Sequence, residues 1–360
     1  MSQPAGLELV RVRMPLVRAF RTSFGTSTIK DAVLVRAIGD DGLDGWGECA
    51  AMETPLYSSE WNDGAWLVIR DHLGPAALAG GDAGIRGHPM ARTAVDSAVL
   101  DLRLRREGVS LAARLGAVRG RIPCGVSLGI EEDIDDLLDQ VKRFVDAGYR
   151  RVKLKIEPRK DVDVVRAVRE AFPDTPLSVD ANAAYTTERA GPLLALDDFG
   201  LEYLEQPLAE DDLVGHARLQ ERMATRVCLD ETITSPTVAR RAIEIGACRV
   251  INVKVGRVGG VEPSREIHDL ALATGVPLWC GGMLETGVGR AVNVALAAMP
   301  GFTLPGDTSG SDRYFERDLT EPFVVDPDGT MAVPAGHGIG VSPIPEVLDE
   351  VAVDRLTLTA

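Results

Sequence analysis

A chain of 360 residues, 45% hydrophobic and 26% charged, carries enough apolar material for two globular domains, one of them barrel-sized. Its formal charge of −15 excludes the broad basic footprint that nucleic acid or an anionic membrane surface requires. No run of about 18 apolar residues appears, and no basic segment leads into an apolar one at the start, so a cytoplasmic protein is expected.

Residues 7–50 read as extended. LELVRVRM and AVLVRAIG alternate as strands, DDGLDG supplies the turn before Trp46, and a loop from Phe20 to Thr26 interrupts them. From about Asp63 to Leu115 the period becomes helical, as in Ala94, Ala98 and Leu102. Strands followed by helices predict an α+β domain over 1–118, and the Pro- and Gly-rich tail ends in an amphipathic stretch able to pack back on it.

The texture changes at Pro123. Short apolar runs (PCGVSLG, RVKLKI, LSVD, LEYLE, RVCLD, RVINVK, VPLWC, FTLP) alternate with amphipathic stretches, making eight strand candidates and seven helices. The first helix puts Ile134, Leu137, Leu138, Val141 and Val145 on one face. Repeated β-then-α units mean a parallel sheet, and eight of them favour a closed barrel over 123–314. The expected fold class is α/β, a (β/α)8-type barrel beside an α+β domain. The five cysteines (Cys49, Cys124, Cys228, Cys248, Cys280) form no CxxC pair and read as buried reduced thiols.

Strand parity locates the chemistry. Alternate residues of a barrel strand point inward, and the others face the helices. In RVKLKI the apolar Val152, Leu154 and Ile156 must face outward, which turns Lys153 and Lys155 inward. The same test turns Asp180, Glu205, Asp230 and Lys254 inward at or near the ends of their strands, the rim where barrel enzymes keep their reactive groups. Lys155, Asp180, Glu205, Asp230 and Lys254 are separated by 25, 25, 25 and 24 residues, one β/α unit per step, and so should ring one mouth. An inward charge costs several kcal/mol unless paired, so a structural ion-pair network is the bland alternative.

Three carboxylates on adjacent strands repel one another unless a cation sits between them, and an all-oxygen donor set favours Mg²⁺ or Mn²⁺ over zinc. The five histidines fall in helical or loop segments, away from the predicted strands. Lysines on the strand before and the strand after the acids would approach the cavity from opposite sides, suiting acid/base work on a planar enolate.

VKLKIEP, SVDANAAY, LEQPL, CLDETI, NVKVGRVGG and CGGMLETGVGR together resemble the enolase superfamily, across essentially the whole chain. The lysine-plus-Mg²⁺ pairing is a recorded pattern of that superfamily. The resemblance is strongest to the o-succinylbenzoate synthase / N-succinylamino acid racemase group of muconate-lactonizing-like enzymes, and it implies a modified (β/α)8-type barrel with an α+β capping domain that the tail of about 315–360 completes. It implies that Asp180, Glu205 and Asp230 are metal ligands and that Lys155 and Lys254 are the acid/base pair. Lys153 would contact the substrate carboxylate, and Asn182 and Glu231 would support the metal and lysines from behind. Arg257 matches an arginine of the racemase-capable subgroup, although Val255 stands where that pattern has proline. Ser127, Gly282, Met283 and Leu284 match barrel-end positions around the substrate, and Phe20, Phe24, Met52 and Tyr57 match capping loops. A small-molecule carboxylate substrate, proton abstraction alpha to that carboxylate, and a homo-oligomer (dimer or octamer) follow from the same resemblance.

Rival readings are a dipeptide epimerase, a muconate-type cycloisomerase and a non-catalytic metal-binding barrel. Dipeptide epimerases carry an Asp-x-Asp pair after the last strand. Here the matching GDTSGSDRY has Ser309 two residues after Asp307.

Overall fold

The computed structural model describes residues 3–22 and 25–359. Three antiparallel strands open the chain: β1 (Gly6–Thr22), β2 (Gly25–Ile38) and β3 (Asp44–Cys49). The β1–β2 ladder runs from Gly6–Ile38 to Pro15–Ile29, shifts register, and resumes from Phe20–Ser27 to Thr22–Gly25. Pro15 has no N–H to give the ladder, which accounts for the break. The stretch expected as a loop is therefore a hairpin arm where it is described. Phe24 lies outside the described residues.

The sheet is buried on both faces. Leu7, Leu9, Val33 and Val35 pack with Ala94, Ala98 and Leu102 of the helix Pro89–Glu107. The opposite face (Val10, Val12, Leu34, Trp46) joins a cluster with Val288, Ala291 and Val294 of a barrel helix. Helix and sheet touch because β3 carries glycine at alternate positions. A Cβ on Gly47 would lie 2.0 Å from the Ala94 carbonyl oxygen, and one on Gly45 would lie 2.2 Å from the Leu102 nitrogen.

After β4 (Arg121–Pro123) come seven parallel strands: β5 (Gly125–Leu128), β6 (Arg151–Lys155), β7 (Leu177–Asp180), β8 (Leu204–Glu205), β9 (Val227–Leu229), β10 (Val250–Val253) and β11 (Leu278–Cys280). They are hydrogen-bonded in sequence order, β5 to β11. The eighth candidate, FTLP, forms bridges rather than a ladder. Phe302 bridges Leu278 and Gly306 bridges Cys124, while the Asp307 and Gly125 amides donate to Cys280 (3.0 Å) and Gly306 (2.7 Å). Pro305 lacks the donor a regular strand would need, yet the segment still spans the gap between β11 and β5.

Helices fill most crossovers, with Asp133, Ser235 and Thr286 side chains capping the ones that start at Ile134, Pro236 and Gly287. The crossover after β7 departs from expectation, forming 3₁₀ turns at Thr187–Arg189 and Gly191–Phe199. Pro192 at the second turn's start blocks an α-helix from running through it. β12 (Thr330–Ala332) pairs with β4, and β13 (Ala352–Thr359) returns to pair with β1 along Gly6–Val12. Among the described residues no helix is long and apolar enough to cross a membrane.

A Gly47→Ala substitution tests the glycine contact. It should push the Pro89–Glu107 helix off β3, at a cost of about 1–3 kcal/mol from overpacking. Scanning calorimetry should show a lower melting temperature. An unchanged one would mean that the contact is looser than described.

Candidate active site

Outward-facing residues confirm the strand parity. Val152, Leu154, Val179 and Leu204 pack with Leu137 and Val141 of the helix layer, and Leu229, Ile251 and Val253 join the other outer cluster. Inside, Tyr203, Cys228, Val250 and Trp279 fill the lower barrel, with Tyr203 and Trp279 stacked at 5.5 Å. Above that apolar floor stand the charges.

Register explains how evenly spaced residues reach a common height. Lys155 pairs with Asp180, and Asp180 with Glu205. Glu205 pairs with Cys228, two residues short of Asp230, and Cys228 pairs with Val250, four short of Lys254. The offset therefore builds to four residues across four strand steps. A shear of about eight over eight strands demands about one residue per strand, so this climb follows the strand tilt. Four steps are also half the circumference, which sets Lys155 and Lys254 across the barrel from each other.

Each acid faces a base. Lys153 Nζ lies 2.6 Å from Glu205, 2.9 Å from Asp307 and 3.5 Å from Asp180. Lys155 Nζ donates to Asp180 and to Asn182 Oδ1, both at 2.6 Å. Asn182, in the left-handed region at φ 41°, donates through its own amide to Asp180 (2.9 Å) and through Nδ2 to Glu231 (3.0 Å). Lys254 Nζ lies 2.8 Å from Asp230 and 4.4 Å from the Tyr57 ring centre. Arg257 ion-pairs with the other Asp230 oxygen and donates to the Tyr57 hydroxyl (3.0 Å), which itself donates to Asp230 (3.3 Å). Asn252 donates to the remaining Glu205 oxygen at 2.8 Å.

Burial is the largest single influence on the acids of this site. Burial pushes the Glu205 and Glu231 carboxyls above their ordinary values, and the charge of Asp180 adds to both shifts. Burial also works to raise Asp180, but Lys155 and Lys153 outweigh it and hold that carboxyl at about 2. Burial opposes the charged form of Lys153, yet Asp307, Glu205 and Asp180 raise it well above the usual ammonium range. Lys254 is raised too, Tyr57 and the acids Glu231, Glu205 and Asp180 prevailing over burial. Among the described residues no three acidic, histidine or cysteine side chains stand gathered as a ready ligand set, because each acid is turned to its basic partner. Yet Asp180, Glu205 and Asp230 are fully buried oxygen donors on neighbouring strand ends, two of them in direct register. That donor chemistry fits a hard divalent cation.

A cavity of about 230 Å³ lies between this face and the cap. Of the expected residues, Lys153, Lys155, Asp180, Asn182, Lys254 and Ser127 line it from the barrel, with Gly282, Met283 and Leu284 on one wall. Phe20, Met52 and Tyr57 line it from the cap. Glu205, Asp230, Glu231 and Arg257 are buried alongside these groups but do not line the cavity. The Ser127 hydroxyl is buried with no protein partner.

Three residues were missed. Arg151 shares the inward parity of Lys153 and Lys155, and it lies 2.8 Å from Asp307 and over the Trp279 ring. Asp307 lines the cavity, its carboxyl held well below the ordinary range by Lys153 and Arg151 against the effect of burial. Lys30 of β2 reaches the cavity from the cap. Parity could have found Arg151. Asp307 stands out only as the first half of an incomplete Asp-x-Asp pair, and no local pattern marks Lys30. The histidines stay away from the cavity; His216 and His268 accept backbone N–H bonds from Leu208 and Gly301.

Comparison with known proteins identifies the family. Residues 5–116 match the mandelate racemase / muconate lactonizing enzyme N-terminal domain, and residues 136–347 match the enolase C-terminal domain-like family. The chain is 54% identical to an N-succinylamino acid racemase of an Amycolatopsis species, covering 98% of each chain. It is 47% identical to the o-succinylbenzoate synthase of Geobacillus kaustophilus, covering 97% of this chain and 94% of that one. A solved enolase-superfamily protein from Listeria innocua superposes with a TM-score of 0.95 at 39% identity, over 99% of both chains. Enzymes of this superfamily use a divalent metal. With both halves matched and relatives this similar across nearly its full length, the chain belongs to the enolase superfamily, in its mandelate racemase / muconate lactonizing enzyme branch.

Proposed function

We propose that this protein removes a proton alpha to a carboxylate, as an N-succinylamino acid (N-acylamino acid) racemase and/or an o-succinylbenzoate synthase. The observation that carries the reading is the placement of two inward lysines half a barrel apart, with buried carboxylates on the strands between them. The similarity to relatives of both names supports either reaction on one site.

Asp180, Glu205 and Asp230 would hold Mg²⁺ or Mn²⁺. When bound, that cation would supply positive charge to steady the oxyanion of the enolate and would counter the acidic field that raises Lys153 and Lys254. Lys153 and Ser127 would orient the substrate carboxylate, while Asn182 and Glu231 fix Lys155 and the acids. In racemisation the neutral amine of one lysine takes the α-proton, breaking the C–H bond. The ammonium of the other returns a proton to the opposite face, so the centre inverts and the two lysines exchange protonation states. In the synthase reaction Lys155 would take the proton and then give it to the departing hydroxide, which leaves as water. Lys254 would stay protonated throughout as a counter-charge. Ser309 donates its hydroxyl to the Gly125 carbonyl (3.3 Å) and lies outside the cavity, which weighs against a dipeptide epimerase.

Lys254→Ala should lower racemisation of N-succinyl amino acids by roughly 10²–10⁴-fold, the usual contribution of a general acid/base. Polarimetry and deuterium incorporation in D₂O measure it, and inversion at the wild-type rate would refute the two-lysine assignment. Metal binding supplies a second test. Since burial and the charge of Asp180 raise the carboxyls of Glu205 and its neighbour Glu231, cation binding should displace protons increasingly, and weaken, as pH falls toward the carboxylate range. Calorimetry in buffers of different ionisation enthalpy should record that release, and chelation should stop the reaction. Affinity that ignores pH would contradict the acid assignment.

A further inference from the structure

The cap carries a buried ion pair of its own, and both partners reach the barrel. Lys30 of β2 and Glu48 of β3 are each 5% exposed, and Nζ lies 3.6 Å from Oε1. Neither serves the chemistry described above, and each also holds a different part of one barrel segment. Lys30 donates to the Met283 carbonyl at 3.1 Å. Glu48 accepts from the Thr286 amide (3.1 Å), the Thr286 hydroxyl (2.7 Å) and the Gly289 amide (3.0 Å), where the helix Gly287–Ala297 begins. The carboxylate therefore sits where the helix dipole favours negative charge.

The first anchor lies within Gly282–Leu284, a wall of the cavity, and the second follows that wall in the chain. Leu284 has φ 55°, a region that leucine occupies only where its surroundings hold it there. Glu285 turns back to accept from the Met283 amide at 2.7 Å, so the short turn is tied at its amide, at its carbonyl and at its far end. Two of these three ties come from the cap.

We propose that Lys30 and Glu48 are positioning residues: as a pair they fix the Gly282–Leu284 wall and thereby set how tightly the cavity fits the substrate's side chain. The inference rests on the function proposed above for what fills the cavity. It adds that the cap acts on specificity through barrel backbone as well as through the side chains it presents. A buried ion pair suits this role. A hydrophobic pair would pack as well, but would not specify where the Met283 carbonyl must point.

The test compares wild type, Lys30→Met, Lys30→Arg and Glu48→Gln, each with its cation bound. Racemisation of N-succinylalanine and N-succinylphenylalanine gives kcat and KM for a small and a large side chain. Amide hydrogen exchange without substrate follows the peptide spanning residues 281–289. Lys30→Met and Glu48→Gln should raise KM for the large substrate by about tenfold, the effect of one lost charge-assisted hydrogen bond, with kcat nearly unchanged and a smaller effect on the small substrate. Exchange across 281–289 should quicken in both variants, and Lys30→Arg should restore part of both losses. Unchanged exchange in both variants would overturn the proposal whatever the kinetics, because it would leave the turn fixed without the pair. A KM effect confined to Lys30→Met would also overturn it, since Lys30 would then be touching the substrate itself. A wild type inactive on both substrates would refute the proposed function instead, with the exchange data still deciding whether the pair holds the wall.

Discussion

Charge placed inside a barrel must be answered by charge, and nearly every feature of this protein's centre follows from that demand. Lys153, Lys155, Asp180, Glu205, Asp230 and Lys254 all occupy inward positions that barrels ordinarily give to branched apolar residues. None is left alone. Lys153 stands among Glu205, Asp307 and Asp180, Lys155 is tied to Asp180, and Asp230 is shared by Lys254 and Arg257. Even so, burial and the charge of Asp180 keep Glu205 and Glu231 above their ordinary pKa values. A set of bases this close and acids this strained is poised to rearrange around one more positive charge.

The cap completes the arrangement from outside. Its sheet is packed on both faces, closed at one edge by β13, and pressed by glycine contact onto the Pro89–Glu107 helix. That solidity lets side chains and backbone from the cap act at the barrel's mouth. Tyr57 reaches Lys254, Arg257 and Asp230, while Phe20 and Met52 wall the cavity. Ion pairs between Arg21, Glu132 and Lys160 tie the hairpin arm to loops of the barrel rim.

Much of this was legible in the sequence, because a period of two is easy to read where one face of a strand is apolar. Val152, Leu154 and Ile156 fixed the direction of Lys153 and Lys155, and the same logic held for Asp180, Glu205 and Lys254. Arg151 obeys that parity too, but it opens its strand, away from the rim where Lys155 ends it. Other departures depend on partners far away in the chain. FTLP looks like a strand, but Pro305 limits it to bridges, and the arm at Phe20–Thr26 looks like a loop until β2 is seen to pair with it. Asp307 and Lys30 show their character only against Arg151, Lys153 and Glu48, residues more than a dozen positions away. The even spacing of about 25 residues indicated equal height, but only the stepped register explains why it produces it.

The central claim is that three buried acids share one cation between two lysines. Anomalous diffraction from crystals grown with Mn²⁺ tests it most directly. The account predicts a single strong peak within bonding distance of carboxylate oxygens from Asp180, Glu205 and Asp230, with the Lys155 and Lys254 amines on either side of the adjoining cavity. A peak held by other residues, or one that leaves any of the three acids paired elsewhere, would contradict it.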